Sequence, residues 1–150
     1  MKLSTRTRYG IRALIYLALN YKNQPIQLNE ISKNENISVR YLEQIMNKLI
    51  SCGVVEGIRG YNGGFILTKP IDKINLYEVI KILEGNLTPV NCLDGSFKCD
   101  VYYKCGAKYI WEELNKQIKN TLNKISLKEI VNYLKKNKEK SIKSKLIYYI

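Results

Sequence analysis

Histidine is absent from this sequence of 150 residues. Its absence excludes a Ser-His-Asp triad, a Cys-His nucleophile pair and any imidazole metal ligand from this chain. Long apolar runs are absent too, because no stretch approaches the roughly eighteen consecutive apolar residues of a membrane helix. We therefore expect neither a histidine-dependent enzyme nor a membrane protein.

The start of the chain, residues 1–6, lacks the apolar core of a signal peptide, and we expect a cytoplasmic protein. In that reducing compartment the four cysteines are expected to bind metal or react rather than to form structural disulfides. The composition, 45% hydrophobic and 25% charged, is that of a globular protein. The length allows one compact domain, or one small domain with an attached module.

Positive charge is what the chain has in excess, with 25 Lys and Arg against 13 Asp and Glu and a formal net charge of +12. Residues 1–70 carry ten basic and four acidic side chains, and residues 111–150 carry the same numbers. Residues 71–110 between them carry five of each. Two basic blocks around a neutral middle indicate an anionic partner, with nucleic acid favoured over a membrane surface. The alternative is that the cations only keep the chain soluble.

Helical periodicity in the first part of the chain predicts a helix-turn-helix. A helix over about 3–23 comes first. The two helices of the motif follow it, the first over 27–35 and the second over 39–51. Asn36 suits a left-handed turn between the last two, and Ser38 suits the N-cap of the second. That second helix is predicted to present a polar outward face, as base reading requires. Its members are Arg40, Tyr41, Glu43, Gln44 and Asn47.

A β-hairpin is predicted directly after these helices. Residues 54–59 and 65–68 are rich in β-forming side chains, and glycine and asparagine join them. Arg59 lies at the tip, where a guanidinium suits a narrow minor groove. A hairpin in this place is a wing, so we predict DNA binding, with protein contacts alone as the alternative. Arg8 on the first helix is either a phosphate contact or part of a solvated face.

The rest of the chain predicts a helix over 75–84, a loop, and a long helix from about 106 to 125. The apolar seam of the long helix favours a homodimer, with packing onto the head domain as the alternative. A capping box at Ser126 and Glu129 opens a last helix to about Lys136. The predicted fold is therefore mainly α. Its parts are a winged helix-turn-helix domain (1–85), a cysteine-rich cluster-binding loop (86–105), dimerisation helices (106–137) and a flexible basic tail (138–150).

The predicted loop carries Cys92, Cys99 and Cys105 in a C-x(6)-C-x(5)-C pattern. Clustered thiolates favour zinc or an iron–sulfur cluster over hard cations. Zinc sites usually have closer cysteine pairs, so this spacing favours a cluster, of either the 2Fe-2S or the 4Fe-4S type. Three unligated cysteines are the alternative. Cys52, at the end of the second helix of the motif, is expected to be buried as a small apolar residue.

These residues resemble the IscR/NsrR group of bacterial winged-helix transcription regulators, the Rrf2 family. The resemblance covers about residues 1–133 and is carried by residues 1–4, 8–10, 37–44, 59–65 and 124–127. It implies dimers that bind palindromic promoter DNA, with an iron–sulfur cluster tuning affinity or site choice in response to cluster status, oxygen or nitric oxide. Carried over, the three loop cysteines would be cluster ligands. Major-groove contacts would come from Ser38, Arg40, Glu43 and Gln44, and Arg59 would enter the minor groove.

Three departures from the family pattern leave the fourth cluster ligand open. Lys108 stands where proteobacterial IscR-type proteins have a histidine, and Arg8 stands where NsrR-type proteins can supply an aspartate. The first cysteine gap is also one residue longer than usual. Asp94, Asp100, a carboxylate of the partner subunit and a small exogenous ligand are the candidates. The alternative function is a zinc-bound or metal-free winged-helix repressor controlled by a partner protein.

Overall fold

The computed structural model describes residues 3–95 and 99–147, and this part of the chain forms six α-helices and one two-stranded sheet. The elements are α1 Thr5–Asn20, α2 Leu28–Glu35, α3 Val39–Ser51, β1 Val55–Ile58, β2 Gly64–Leu67, α4 Leu76–Glu84, α5 Lys108–Asn123 and α6 Leu127–Ile147. Two short 3-10 turns, Asn91–Leu93 and Tyr102–Lys104, lie between α4 and α5. None of the described helices is long and apolar enough to cross a bilayer.

Helices α2 and α3 form the predicted helix-turn-helix because the chain reverses at Asn36. This residue adopts the left-handed conformation, with φ 51° and ψ 51°, as predicted. Asparagine tolerates this conformation better than most residues other than glycine. The Ser32 hydroxyl donates to the Ile37 carbonyl oxygen at 2.6 Å across the turn. The turn therefore has hydrogen bonds of its own, which direct the chain into α3.

The apolar stripe of α3 lies in the core of the head domain. Its fully buried members, Leu42, Ile45, Met46 and Leu49, have the spacing of one helix face. Helices α1 and α4 pack close to this stripe because Gly10 has no side chain. A Cβ at Gly10 would lie only 2.5 Å from Cδ1 of Leu83. The close packing of α1 against α4 thus depends on glycine at this position.

The wing is an antiparallel hairpin in which Val55 pairs with Leu67 and Ile58 pairs with Gly64. It is fastened to the segment before α2 by a β-bridge between Ile26 and Phe65. In this bridge Phe65 N–H donates to the Ile26 carbonyl oxygen at 2.8 Å, and Ile26 N–H donates to the Phe65 carbonyl oxygen at 3.0 Å. The predicted hairpin is confirmed, and its second strand is held to the segment before α2 by backbone hydrogen bonds.

The C-terminal end of α4 is bonded to two other helices. Lys48 of α3 donates from Nζ to the Leu83 carbonyl oxygen at 3.1 Å, and Ser4 N–H donates to Oε1 of Glu84 at 2.5 Å. Burial raises the pKa of Glu84, but hydrogen bonds from Ser4 and Thr7 outweigh it, so this pKa lies below its ordinary value. The charged Glu84 carboxylate therefore links the start of α1 to the end of α4.

Helix α6 returns to the head domain after α5. It buries Leu127 and Val131, whereas α5 has no fully buried residue. The predicted capping box is confirmed, because Ser126 N–H donates to Oε2 of Glu129 at 2.6 Å and Glu129 N–H donates to Oγ of Ser126 at 3.4 Å.

The prediction that the last helix ends near Lys136 is wrong, since α6 continues to Ile147. The sequence of α6 contains neither glycine nor proline that would stop it. The predicted basic tail, 138–150, includes residues 148–150, which lie outside the described residues.

Candidate DNA interface and cysteine loop

The outward face of α3 carries the polar side chains that the sequence places there. Arg40, Glu43 and Gln44 are exposed, opposite the buried stripe of the same helix. Ser38 occupies the N-cap position as predicted, yet its side chain makes no cap hydrogen bond, so that expected bond is absent. The exposed Ser38 hydroxyl therefore lies at the start of the helix beside these polar side chains. This face presents donors and acceptors of the kind that read base edges.

Tyr41 differs from its neighbours because it is half-buried rather than fully exposed. Its ring meets that of Tyr9 on α1 edge to face, with centroids 6.0 Å apart and planes at 76°. The Tyr9 ring in turn lies 5.4 Å from the Arg12 guanidinium carbon, and Arg12 Nε donates to Oε2 of Glu35 at 2.8 Å. These contacts pack α1 against the helix-turn-helix. Arg12 is therefore part of an intramolecular ion pair.

Arg8 and Arg59 are the two exposed arginines outside α3 that are predicted to contact DNA. Arg8 donates to Oγ1 of Thr5 at 3.1 Å on the surface of α1. Arg59 is exposed directly after β1, at the tip of the wing. It borders an open cleft of about 720 Å³ between the start of α2, the end of α3 and the wing. The structure thus brings the wing arginine to the same cleft as Asn47 and Ile50, in the second half of α3, the predicted recognition helix.

Two amides in this cleft were missed in the sequence interpretation. Gln27 and Asn29, at the start of α2, line it together with Asn47 of α3. The first N–H groups of a helix have no partner within the helix and attract anions. A polar residue on either side of the first residue of α2 is the sequence signal that could have identified them.

The cysteine loop brings two of its three thiols to one cavity. Cys92 and Cys99 line an open space of about 750 Å³ together with Asp94 and Asp100. Asn86 donates to the Asp94 carboxylate from its side-chain amide. Residues 96–98 of this loop are among those not described. Within residues 3–95 and 99–147, no three Cys, Asp or Glu side chains are grouped closely enough to hold a metal ion.

Cys105 does not line that cavity and lies between the second 3-10 turn and α5. Its carbonyl oxygen accepts from Lys108 N–H at 3.2 Å. The Lys108 ammonium lies 4.0 Å from the centre of the Tyr102 ring and 3.5 Å from Oε1 of Glu112. The hydrogen bond to Tyr102 is the main cause of the raised pKa of Lys108. A charged ammonium offers no lone pair, so the charged form of Lys108 cannot be a metal ligand.

The prediction that Cys52 is buried is wrong. It caps the C-terminal end of α3 and is exposed rather than buried. Gly53, with φ 66°, turns the chain there, and the thiol is left on the surface 3.7 Å from the Ser51 hydroxyl. All four cysteines of the chain are free thiols.

Comparisons with known proteins place this architecture among transcription regulators. The family model Rrf2, described as an iron-dependent transcriptional regulator, matches residues 3–133. A Neisseria meningitidis serogroup A protein named as an HTH-type transcriptional regulator is 36% identical over 131 residues, covering 87% of this chain and 88% of the relative. IscR of Klebsiella pneumoniae strain 342 is 34% identical over 132 residues, which are 88% of this chain and 80% of IscR.

Solved structures agree with the sequence comparisons. CymR, the global cysteine regulator of B. subtilis, superposes with a TM-score of 0.74 at 31% identity, covering 89% of this chain and 98% of CymR. IscR of T. potens gives a TM-score of 0.71 at 30% identity and covers 89% of this chain and 88% of that protein. These similarities confirm the predicted mainly helical, winged helix-turn-helix fold, and they are to regulators rather than to enzymes.

Proposed function

The chain belongs to the Rrf2 family of DNA-binding transcriptional regulators, and from this premise we propose that it binds palindromic promoter DNA as a homodimer. We further propose that an iron–sulfur cluster held by Cys92, Cys99 and Cys105 tunes this binding. The cytoplasm, where bacterial promoters are accessible, is the proposed location. The observation that carries the proposal is the cleft shared by Arg59 of the wing and Asn47, which lies on the exposed polar face of α3.

The side chains of this surface divide into two roles. Ser38, Arg40, Glu43 and Gln44 would enter the major groove with α3, while the partly buried Tyr41 would contact DNA from the edge of that face. Arg59 would enter the minor groove, and Arg8 would contact a phosphate. Glu43 would exclude sites where its carboxylate finds no donor, because an unpaired buried charge is costly.

Two substitutions test this docking. We expect Arg59→Ala to weaken binding to all DNA sequences by about fivefold to a hundredfold, because a contact worth about 1–3 kcal/mol is lost. We expect Glu43→Ala to change the affinity for the preferred site less than Arg59→Ala does. It should instead reduce the discrimination between bases within the site. Fluorescence anisotropy with the site selected by the wild-type protein from random duplex DNA measures both effects. The control is Lys22→Ala, which removes an exposed cation outside this surface.

If Arg59→Ala and Glu43→Ala bind the selected site and its base-substituted versions as Lys22→Ala does, α3 and the wing are not the reading elements. Wild-type binding should also fall steeply with salt, as expected where lysines and arginines displace counterions from phosphates.

A homodimer is proposed because α5 leaves apolar side chains uncovered. Tyr109, Ile110 and Leu114 are 76%, 59% and 43% exposed. Beside them, Leu3, Ile80 and Ile118 line an apolar space of about 310 Å³ between α4 and α5. Exposed apolar surface of this kind is typical of protein interfaces. A second α5, with the same apolar stripe, would cover it.

The dimer is tested by Leu114→Glu. We expect this substitution to shift sedimentation at micromolar concentration from dimer to monomer, because a carboxylate would be buried without a partner. The matched control is Asn120→Glu, which adds the same charge to α5 beside the separate cavity lined by Leu93 and Tyr102. A wild-type protein that sediments as a monomer, or equal effects of both variants, would contradict the proposed interface.

An iron–sulfur cluster fits the chemistry of the loop. Thiolates are the usual ligands of such clusters. The volume of the cavity beside Cys92 and Cys99, about 750 Å³, is much larger than the roughly 30 Å³ that one water molecule occupies in the liquid. Cys105 would be the third cysteine ligand, and Asp94 or Asp100, which line the same cavity, would be candidates for the fourth position. When bound, the cluster would supply iron that reacts with oxidants or nitric oxide.

A zinc-bound or metal-free regulator controlled by a partner protein is the second candidate. It is favoured because Cys105 does not line the cavity beside Cys92 and Cys99, and by the similarity to CymR, a global cysteine regulator. Zinc without acid-labile sulfide, or no metal at all after anaerobic purification, distinguishes this candidate from the first.

A further inference from the structure

One side chain, that of Asn75, joins the start of α4 to the end of α5. Its Oδ1 accepts from Tyr77 N–H at 2.9 Å and from Glu78 N–H at 3.3 Å, and so caps α4. Its Nδ2 donates to the Asn123 carbonyl oxygen at 2.8 Å, at the last residue of α5. A single amide therefore satisfies unpaired backbone groups of both helix ends.

Backbone hydrogen bonds reinforce this junction on both sides. Leu76 N–H donates to the Ile125 carbonyl oxygen at 3.0 Å, and Leu127 N–H donates to the Ile74 carbonyl oxygen at 2.9 Å. These bonds hold the turn between α5 and α6 against the residues that precede α4. They do not reach into α5 itself, whose last carbonyl is bonded across the junction by the Asn75 side chain.

The other end of α4 is bonded to α3 and to the start of α1 within the head domain. Lys48 of α3 donates to the Leu83 carbonyl oxygen, and Glu84 accepts from Ser4 at the start of α1. Helix α4 has nine residues and four buried apolar side chains, so it can act as a short rigid element. Because α4 is bonded to α3 in this way, a change in the angle between α5 and α4 would also change the orientation of α5 relative to α3.

We infer that Asn75 is a positioning residue for DNA recognition: it sets the angle between the dimerisation helix α5 and the winged head. This inference rests on the proposed function, because the angle matters when two heads are joined through α5. In a dimer it determines the separation of the two recognition helices. That separation selects the spacing between half-sites. Without the amide donor, the heads accept a wider range of spacings.

The test compares two variants that keep an N-cap oxygen and lose the donor. Asn75→Asp adds a charge, whereas Asn75→Ser is neutral and too short to reach Asn123, so a shared effect belongs to the lost hydrogen bond. Asn20→Asp is the matched control, because Asn20 Nδ2 donates at 2.9 Å to the Tyr16 carbonyl oxygen within its own helix. Far-UV circular dichroism verifies that each variant is folded.

The DNA probes are the palindrome that the wild-type protein selects from random duplex DNA and versions with half-sites moved stepwise by single base pairs. We expect both Asn75 variants to lose discrimination between the selected and the shifted spacings by about threefold to tenfold, the effect of one hydrogen bond. Their discrimination between bases within a half-site should stay as in the wild type. Wild-type spacing discrimination in both folded variants, or an equal loss in Asn20→Asp, would overturn the inference.

A second measurement needs no DNA. Trp111, the sole tryptophan of the chain, lies on α5 and reports its motion by time-resolved fluorescence anisotropy. We expect a larger fast component in Asn75→Ser than in the wild type or Asn20→Asp. Unchanged Trp111 motion would overturn the role of Asn75. Failure of the wild-type protein to select a palindrome would instead overturn the proposed function on which the inference rests.

Discussion

Replacing Cys92, Cys99 or Cys105 individually by serine is expected to abolish cluster binding and the response of DNA affinity to it. Serine has nearly the shape of cysteine, but its hydroxyl is a hard, weakly acidic ligand that iron–sulfur clusters bind poorly. All three cysteines are partly exposed, so the substitutions leave no cavity in the core. The fold should therefore be retained while the site is lost.

The measurement is iron and acid-labile sulfide content after anaerobic reconstitution, followed by DNA affinity with and without reconstitution. For the wild type we expect the two affinities to differ by about fivefold to 150-fold, the usual range of coupling between two sites. For each loop variant the ratio should be close to unity. Oxygen or nitric oxide should change the visible spectrum of the wild-type protein but not that of the three loop variants.

Cys52→Ser is the matched control, because it removes an exposed thiol at the end of α3, outside the loop. It should bind the cluster as the wild type does. A reconstituted wild-type protein without sulfide would contradict the cluster. An unaffected Cys105→Ser variant would show that the cavity beside Cys92 and Cys99 forms the site without Cys105.

Gly64→Ala is the second substitution with a large expected effect. A Cβ at Gly64 would lie 2.5 Å from the Ile26 carbonyl oxygen and 3.0 Å from the Gln27 nitrogen. Both atoms are backbone, so the side chain cannot be accommodated by a change of rotamer. The bridge between Ile26 and Phe65 must open, and the start of β2 must move away from the segment before α2. We expect a loss of about 1–3 kcal/mol in the free energy of unfolding, as for other overpacked sites.

DNA affinity should fall in this variant by at least as much as in Arg59→Ala, because the displaced wing carries Arg59 with it. Gly57→Ala is the control, on the other strand and directly opposite Phe65. Its Cβ would lie 3.6 Å from Ile50 Cδ1 and 3.8 Å from Phe65 Cε1, which are ordinary contacts. For both variants, thermal unfolding measures the stability and fluorescence anisotropy measures the DNA affinity. Equal behaviour of the two variants would contradict the close approach at Gly64.

Much of the head domain could be predicted because its signals are local. The buried face of α3 follows from helical spacing, the left-handed turn at Asn36 from the conformational range of asparagine, and the wing from its glycines. The capping box at Ser126 is likewise a pattern within four residues. Each of these features depends on neighbours along the chain.

Two expectations differ from the structure for local reasons, and a third differs because of a contact with a distant part of the chain. Cys52 was expected to be buried, but the direction in which Gly53 turns the chain exposes it. Tyr41 was placed on the outward face, yet its ring packs on Tyr9 from another helix. The last helix continues to Ile147 because nothing in its sequence stops it.

The sequence alone determined the helix-turn-helix, the wing, the two basic blocks, the family and the number of thiols available for a metal centre. The tertiary structure alone decided which of these groups meet. It brings Cys92 and Cys99 to one cavity without Cys105, and it joins Asn75 to Asn123 across 48 positions of the chain. The physical reason is that periodicity and turn preferences act within a few residues. Contacts between elements depend on how whole helices pack, which local patterns do not encode.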